Sequence, residues 1–73
     1  MKAQFRIEES WPQVDGGIRY LLSCPEGEVS VDQQVDGKLS GFTRPGFHGD
    51  EDAALTAAFN FLRVCQALDA WRK

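Results

Sequence analysis

The chain has 73 residues, with 11 acidic and 8 basic side chains and a formal charge of −3. A chain of this length closes one core and buries roughly 60% of its unfolded surface, so a second domain is excluded and residues 1–73 are expected to form one small domain. Apolar residues make up 42% and charged residues 26% of the chain, a balance typical of folded proteins and unlike that of disordered ones.

Four of the first nine residues are charged, which leaves no apolar run there for a signal-peptide core or a membrane span. We therefore expect a cytoplasmic protein without membrane contact. Thiols stay reduced in that compartment, and neither Cys24 nor Cys65 belongs to a CxxC pair. A disulfide between the two cysteines is kept as an alternative. One cysteine lies in a predicted strand and the other in the predicted helix, so the two could meet across the core.

Alternation of apolar and polar residues predicts three strands, at residues 3–9, 18–24 and 28–35. In the first strand, Ala3, Phe5 and Ile7 share one side. In the third strand, Val35 is expected to face the core with two earlier valines, although Gln33 interrupts that apolar face.

Turn residues separate these strands. The Trp11–Pro12 pair is expected to end the first strand, and Gly16–Gly17 reverses the chain. Asp36–Gly37 between two extended segments is a strong short-range signal for a hairpin in which both residues take a positive φ. A short fourth strand at 38–42 stays an open alternative, and the Gly and Pro residues that follow predict a loop over 43–50.

An Ala- and Leu-rich run with acids at its start and bases at its end predicts a helix over residues 51–72. Acids complement the positive N-terminal end of a helix and bases its negative C-terminal end. Asp50 is the predicted N-cap. The predicted fold class is α+β, an antiparallel sheet of three to four strands in the order β-β-β(-β)-α with one long C-terminal helix packed on one face.

The predicted helix has more apolar surface than one sheet covers. At about 100° per residue, Ala58 and Leu68 lie on the core side, while Phe59 falls in the polar sector near Leu55 and Trp71 extends the apolar arc. We therefore expect Leu55, Phe59 and Trp71 to form a second contact surface, most commonly a homodimer through the helix. The alternative is that Phe59 is a single exposed apolar residue or lies under the preceding loop.

Most of the negative charge lies in residues 26–52, which hold seven acids and two bases. Glu28, Asp32 and Asp36 have the parity opposite to the inward-facing Val29. They are expected to form an acidic strip on the outer sheet face that steers association with a protein partner of basic surface. The alternative is a solvated face that keeps the domain soluble.

No catalytic motif is visible. His48, the one histidine, lies near Asp50, but the chain holds no Ser-His-Asp pattern in a known context, no P-loop and no dinucleotide fingerprint. Its cysteine and histidine spacing does not suggest a metal site. We therefore expect a protein that is not an enzyme and uses no cofactor or metal.

Nucleic-acid binding is the alternative function. Arg44, Phe47 and His48, together with Phe42, place a base and side chains for stacking in one loop. The order of strands followed by a helix resembles the topology of integrase-type and double-stranded-RNA-type binding domains, a resemblance of fold plan without a shared motif. The chain lacks the cluster of Lys and Arg that such modules use against phosphate, so nucleic acid is the disfavoured partner.

The leading hypothesis is a small acidic protein-binding module, such as an inhibitor or accessory factor that docks on a larger basic target. The absence of catalytic motifs, the acidic strip and the wide apolar helix favour it. In size, acidity and lack of motifs the chain is similar in kind to the small single-domain proteins that phages use against host defences, such as anti-CRISPR proteins. That similarity is generic and implies no site residues.

Overall fold

The computed structural model describes residues 5–72, with side chains described up to Leu68. Four strands precede one helix, which confirms the α+β class and the fourth strand. The elements are β1 (Arg6–Pro12), β2 (Ile18–Cys24), β3 (Gly27–Gln33), β4 (Leu39–Thr43) and α1 (Glu51–Arg72). No helix in the described part of the chain is long and apolar enough to cross a membrane.

The strands form one antiparallel sheet in the spatial order β1-β2-β3-β4, so each strand pairs with its neighbour in sequence. The predicted hairpin between β3 and β4 is confirmed, but its turn is longer than expected. The N–H of Gln34 donates to the carbonyl of Lys38, and only Gly37 has a positive φ, of 93°. A three-residue loop whose last residue is left-handed has this geometry, so Asp36 needs no positive φ.

The core lies between α1 and the inner face of the sheet. Leu22 and its cross-strand partner Val29 share one row of that face, and Val31 lies on the next inward row. These three residues, together with Ala58 and Leu62 of α1, are almost fully buried. The helix packs over β3 and β4. Its Phe61 ring also contacts the ring of Phe5, the residue before β1, with 5.8 Å between the ring centroids.

The start of α1 follows the prediction. The Asp50 carboxylate accepts a hydrogen bond from the N–H of Ala53 at 3.2 Å, and the Asp50 carbonyl accepts one from Ala54. The first bond satisfies a backbone donor that a helix start leaves without a partner inside the helix, and the second is the first i→i−4 bond of α1. The N-cap prediction is confirmed.

The first strand differs from its prediction. β1 begins at Arg6 and includes Trp11 and Pro12, which were expected to end it. The register shifts between Ile7 and Glu9, a bulge that lets the strand continue in a new alternation. Proline is tolerated there because β1 is an edge strand whose outer N–H groups need no partner. Residues 3 and 4 of the predicted strand lie outside the described residues.

Two predicted core residues are exposed. Val35 lies in the loop after β3, which ends at Gln33 because the hairpin begins at Gln34. Leu68 lies beyond Gln66, whose side chain already bonds to Gln33 at the end of β3 at 2.7 Å. At 1.5 Å per residue the 22-residue helix is about 33 Å long and extends past strands of five to seven residues.

Candidate protein-binding surface

The sheet face opposite the helix carries exposed aromatic side chains. Trp11 of β1 is 42% exposed and Phe42 of β4 is 53% exposed. Leu21 and Ser30, cross-strand partners in the central strands, lie between them. We call Trp11, Leu21 and Phe42 the outer-face patch.

A shallow depression of about 230 Å³ opens within this patch. Its lining residues are Trp11, Gln13, Arg19, Leu21, Ser30, Phe42 and Arg44. Ser30 is only 5% exposed although it points away from the helix. Its larger cross-strand neighbours Leu21 and Phe42 therefore cover much of it, and the depression has an apolar wall on each side and a polar floor.

A bidentate ion pair crosses one end of the patch. Arg19 donates from Nε to Oδ1 of Asp32 at 2.8 Å and from Nη2 to Oδ2 at 3.3 Å. The hydrogen bond to Asp32, and secondly its charge, raise the pKa of Arg19. The two charges balance each other, so this pair adds little net field to the face.

Acidic side chains flank the patch at β1 and β3. Glu8, the bulge residue, accepts a hydrogen bond from the Ser23 hydroxyl and lies 4.0 Å from a guanidinium nitrogen of Arg6. Glu9 and Glu28 are exposed. Glu9 pairs with Leu21 and Glu28 pairs with Ser23, so both side chains lie on the outer face. The patch thus has a charged rim around an apolar centre.

The predicted acidic strip is divided between two places. Glu28 and Asp32 lie on the outer face, alternating with the buried Val29 and Val31. Asp36 lies in the β3–β4 loop, where its carboxylate accepts a hydrogen bond from the N–H of Lys38 at 3.0 Å. Asp32 forms an ion pair with Arg19, whereas Glu28 forms no ion pair among the described residues. Of the two acids on the outer face, Glu28 therefore keeps its charge unbalanced.

The fold also gathers acids that are distant in sequence. The N–H of His48 donates to the Glu26 carbonyl at 3.0 Å, and the side chain of Glu26 lies against Gly49. Glu26 therefore stands next to the start of α1, where Asp50, Glu51 and Asp52 are exposed. This acidic end of the molecule adjoins Glu28.

The helix residues predicted as contacts occupy a different environment from the one expected. Phe59 and Leu55 are half-buried and pack against the core, so the interpretation of Phe59 as an exposed residue in a polar sector is wrong. Among the side chains of α1 that the structure describes, the large apolar ones that are exposed are Val64, at 58%, and Leu68. The Trp71 side chain lies outside the described ones.

The loop residues predicted for nucleic acid lie in different surroundings. Arg44 lines the outer-face depression. Phe47 turns to the core and packs closely over Gly27, where an added Cβ would lie 2.9 Å from the Phe47 Cα. His48 is exposed. The aromatic side chains that line the depression with Arg44 are Phe42, which the sequence analysis grouped with it, and Trp11, which sequence reasoning missed because the bulge at Glu8 sets the side to which Trp11 points.

Both cysteines are free and half-buried. Among the described residues, no three His, Cys, Asp or Glu side chains converge as a metal site. Comparison of the chain with protein-family models, curated proteins and solved structures gave no match.

Proposed function

We propose that this chain is a non-enzymatic protein-binding module that docks through the outer face of its sheet on a larger protein with a basic surface. The observation that carries the proposal is the exposure of Trp11 and Phe42 on a face that no element of residues 5–72 covers. An inhibitor or accessory factor acts by occupying a surface of its target, and this face offers the means to do so.

The composition of the patch fits a protein interface. Interfaces concentrate their binding energy in a few aromatic side chains at the centre, surrounded by a polar rim that excludes water. Trp11 and Phe42 stand on either side of Leu21, and Glu9, Glu28 and the Arg19–Asp32 pair stand around them. Strands hold these side chains in fixed positions, so little conformational entropy is lost when they bind.

The charge distribution favours a basic partner. The chain carries −3 overall, and Asp32 is balanced by Arg19 and Glu8 by Arg6. Glu9 and Glu28 outnumber Arg44 among the other charged residues around the patch, and Glu28 continues into the acidic end. Complementary charge accelerates the encounter with a basic surface and orients it, while apolar contacts at the centre hold the complex.

Target capture from native cell extract tests the proposal. The tagged chain and the variants W11A and F42A are used as baits, each with and without nuclease, and bound proteins are identified by mass spectrometry. We expect the wild-type chain to retain a basic protein that both variants lose, because each variant removes an aromatic anchor.

The matched control is Val64→Ala, which removes an exposed apolar side chain from the helix. It should capture the target as well as the wild-type chain does. Loss of the target with V64A together with its retention by W11A and F42A would contradict the outer-face proposal and favour contact through the helix.

Binding of single-stranded nucleic acid is the second candidate, and one observation favours it. Arg44 and Arg19 line the same depression as Trp11 and Phe42, and aromatic platforms with neighbouring cations stack bases. The acidic rim opposes it, since phosphate binding needs a positive surface.

Titration with a thymidine octamer separates the two candidates. Docking on a protein predicts no change in tryptophan fluorescence on adding the octamer. A saturable change that Arg44→Gln abolishes, with loss of all capture on nuclease treatment, would support nucleic acid and contradict the leading proposal.

A further inference from the structure

The two edges of the sheet are protected very differently. β1 carries a bulge, a terminal Pro12 and charged side chains at Arg6, Glu8 and Glu9. Bulges, prolines and charges are the devices by which proteins prevent edge strands from pairing with other chains. β4 has the sequence LSGFT, with no charge, no proline and no bulge.

The outer edge of β4 offers a row of backbone groups, with Gly41 so close to β3 that an added Cβ there would collide with the Ser30 carbonyl oxygen. The N–H of Arg44 donates to the Glu28 carbonyl at 2.9 Å and that of Gln34 to the Lys38 carbonyl at 2.8 Å. Antiparallel ladders alternate between hydrogen-bonded and non-hydrogen-bonded pairs. The pairs Ser30–Phe42 and Asp32–Ser40 are therefore bonded, and Leu39, Gly41 and Thr43 direct their N–H and C=O groups away from β3.

We propose that β4 pairs antiparallel with β4 of a second copy of this chain, about a two-fold axis at Gly41. In this register Gly41 meets the partner's Gly41 and Leu39 meets the partner's Thr43, so all three outward residues of each strand are bonded. The result is a continuous eight-stranded sheet with both helices on one face. This inference uses the β4 edge and shares Phe42 with the outer-face patch. Thr43→Pro, which changes only the edge, and Trp11→Ala, which changes only the patch, keep failure of the dimer distinguishable from failure of the docking function.

The side chains favour a second copy over an unrelated strand. Phe42 lies opposite the partner's Ser40 and diagonal to the partner's Phe42, within reach of an aromatic contact. That contact covers a ring that is 53% exposed in the single chain. A two-fold interface requires a segment complementary to itself, and the uncharged stretch centred on Gly41 satisfies that requirement.

The same register brings like charges together at its ends. Arg44 falls opposite the partner's Lys38, and two such pairs occur in the dimer. Like charges placed opposite each other on neighbouring strands weaken pairing, and added salt screens them. The dimer is therefore expected to become stronger as salt is added, which is the reverse of an association that depends on salt bridges.

Sedimentation equilibrium of the purified chain, from about 10 µM to about 1 mM, covers the range expected of an interface smaller than roughly 1,200 Å². We expect a reversible monomer–dimer equilibrium that shifts toward dimer with added sodium chloride. Amide hydrogen exchange under the same conditions should show protection of Leu39, Gly41 and Thr43 that rises with protein concentration. A monomer at every concentration would overturn the proposal.

Two variants locate the interface. Thr43→Pro removes an outward N–H without removing a bond to β3 and should abolish the dimer. Phe42→Ala should weaken dimerisation by about 3- to 10-fold, the value of an aromatic pair. Trp11→Ala, on the same face at the other edge, is the control and should leave the dimer unchanged. A dimer that withstands both T43P and F42A, with no protection of the three amides, would place self-association elsewhere and overturn the proposal.

Discussion

The two faces of the sheet are built from the same strands but are covered to different degrees. On the inner face, Leu22, Val29 and Val31 are sealed under α1. On the outer face, Trp11 and Phe42 are larger and more apolar than their surroundings and remain about half exposed. The inner face accounts for folding, and the outer face holds apolar area that folding does not use.

This difference is the reason for proposing the outer face as the binding surface. A small domain stabilises itself with whatever apolar surface it can bury, and large exposed aromatic groups on a sheet commonly mark a binding site. Charged side chains around Trp11 and Phe42 favour solubility of a face that carries exposed apolar groups. Removing side chains from one face at a time should therefore separate stability from binding.

The largest expected effect is on the inner face. Leu22→Ala should lower the free energy of unfolding by about 2–5 kcal/mol, because it removes a fully buried side chain and leaves a cavity. Urea denaturation followed by circular dichroism measures the loss. Leu21→Ala, the next residue on the same strand but on the outer face, is the matched control and should cost less. Equal losses would mean that the two faces contribute equally to folding.

Much of the fold could be predicted because local signals and tertiary packing agree. The alternation at residues 18–24, the Asp50 cap and the polarity of the helix each specify their element without help from distant residues. The observed bounds of β1 differ from the predicted ones because of the bulge at Glu8. The bulge depends on pairing with β2, and the sequence of β1 alone does not encode that pairing.

The candidate site was harder to predict for the same reason. Phe42 and Trp11 come together only when β1 and β4 are placed on the outer sides of one sheet. Helical periodicity gave the wrong environment for Phe59, because the side chain's burial depends on where the helix sits across β3 and β4. The parity of Glu28 and Asp32, in contrast, follows from a single strand and was predicted correctly.

A smaller effect is expected where the helix joins the core. Asp50→Ala removes the N-cap bond to Ala53 and should lower the free energy of unfolding by about 1 kcal/mol. Thermal unfolding by calorimetry measures it. Asp52→Ala, in the first turn but without a side-chain hydrogen bond among the described residues, is the control and should cost less. A larger loss from D52A would show that charge at the helix start matters more than the cap.

The smallest effect on stability is expected at the rim of the outer face. Glu28→Lys should change the free energy of unfolding by no more than about 0.5 kcal/mol, as is usual for an exposed residue. It should nevertheless slow association with the captured target and reduce the salt dependence of that rate, because it reverses a steering charge. Stopped-flow association at two salt concentrations measures both. Unchanged association kinetics would remove Glu28 from the binding face.

Hydroxyl-radical footprinting of the wild-type chain, with and without its captured target, tests the central claim most directly. In the free chain, Trp11, Phe42, Val64 and Leu68 are all exposed enough to react. We expect the target to protect Trp11 and Phe42 from oxidation while Val64 and Leu68 react as before. Protection of Val64 and Leu68 with continued oxidation of Trp11 and Phe42 would contradict the account and move the binding surface to the helix.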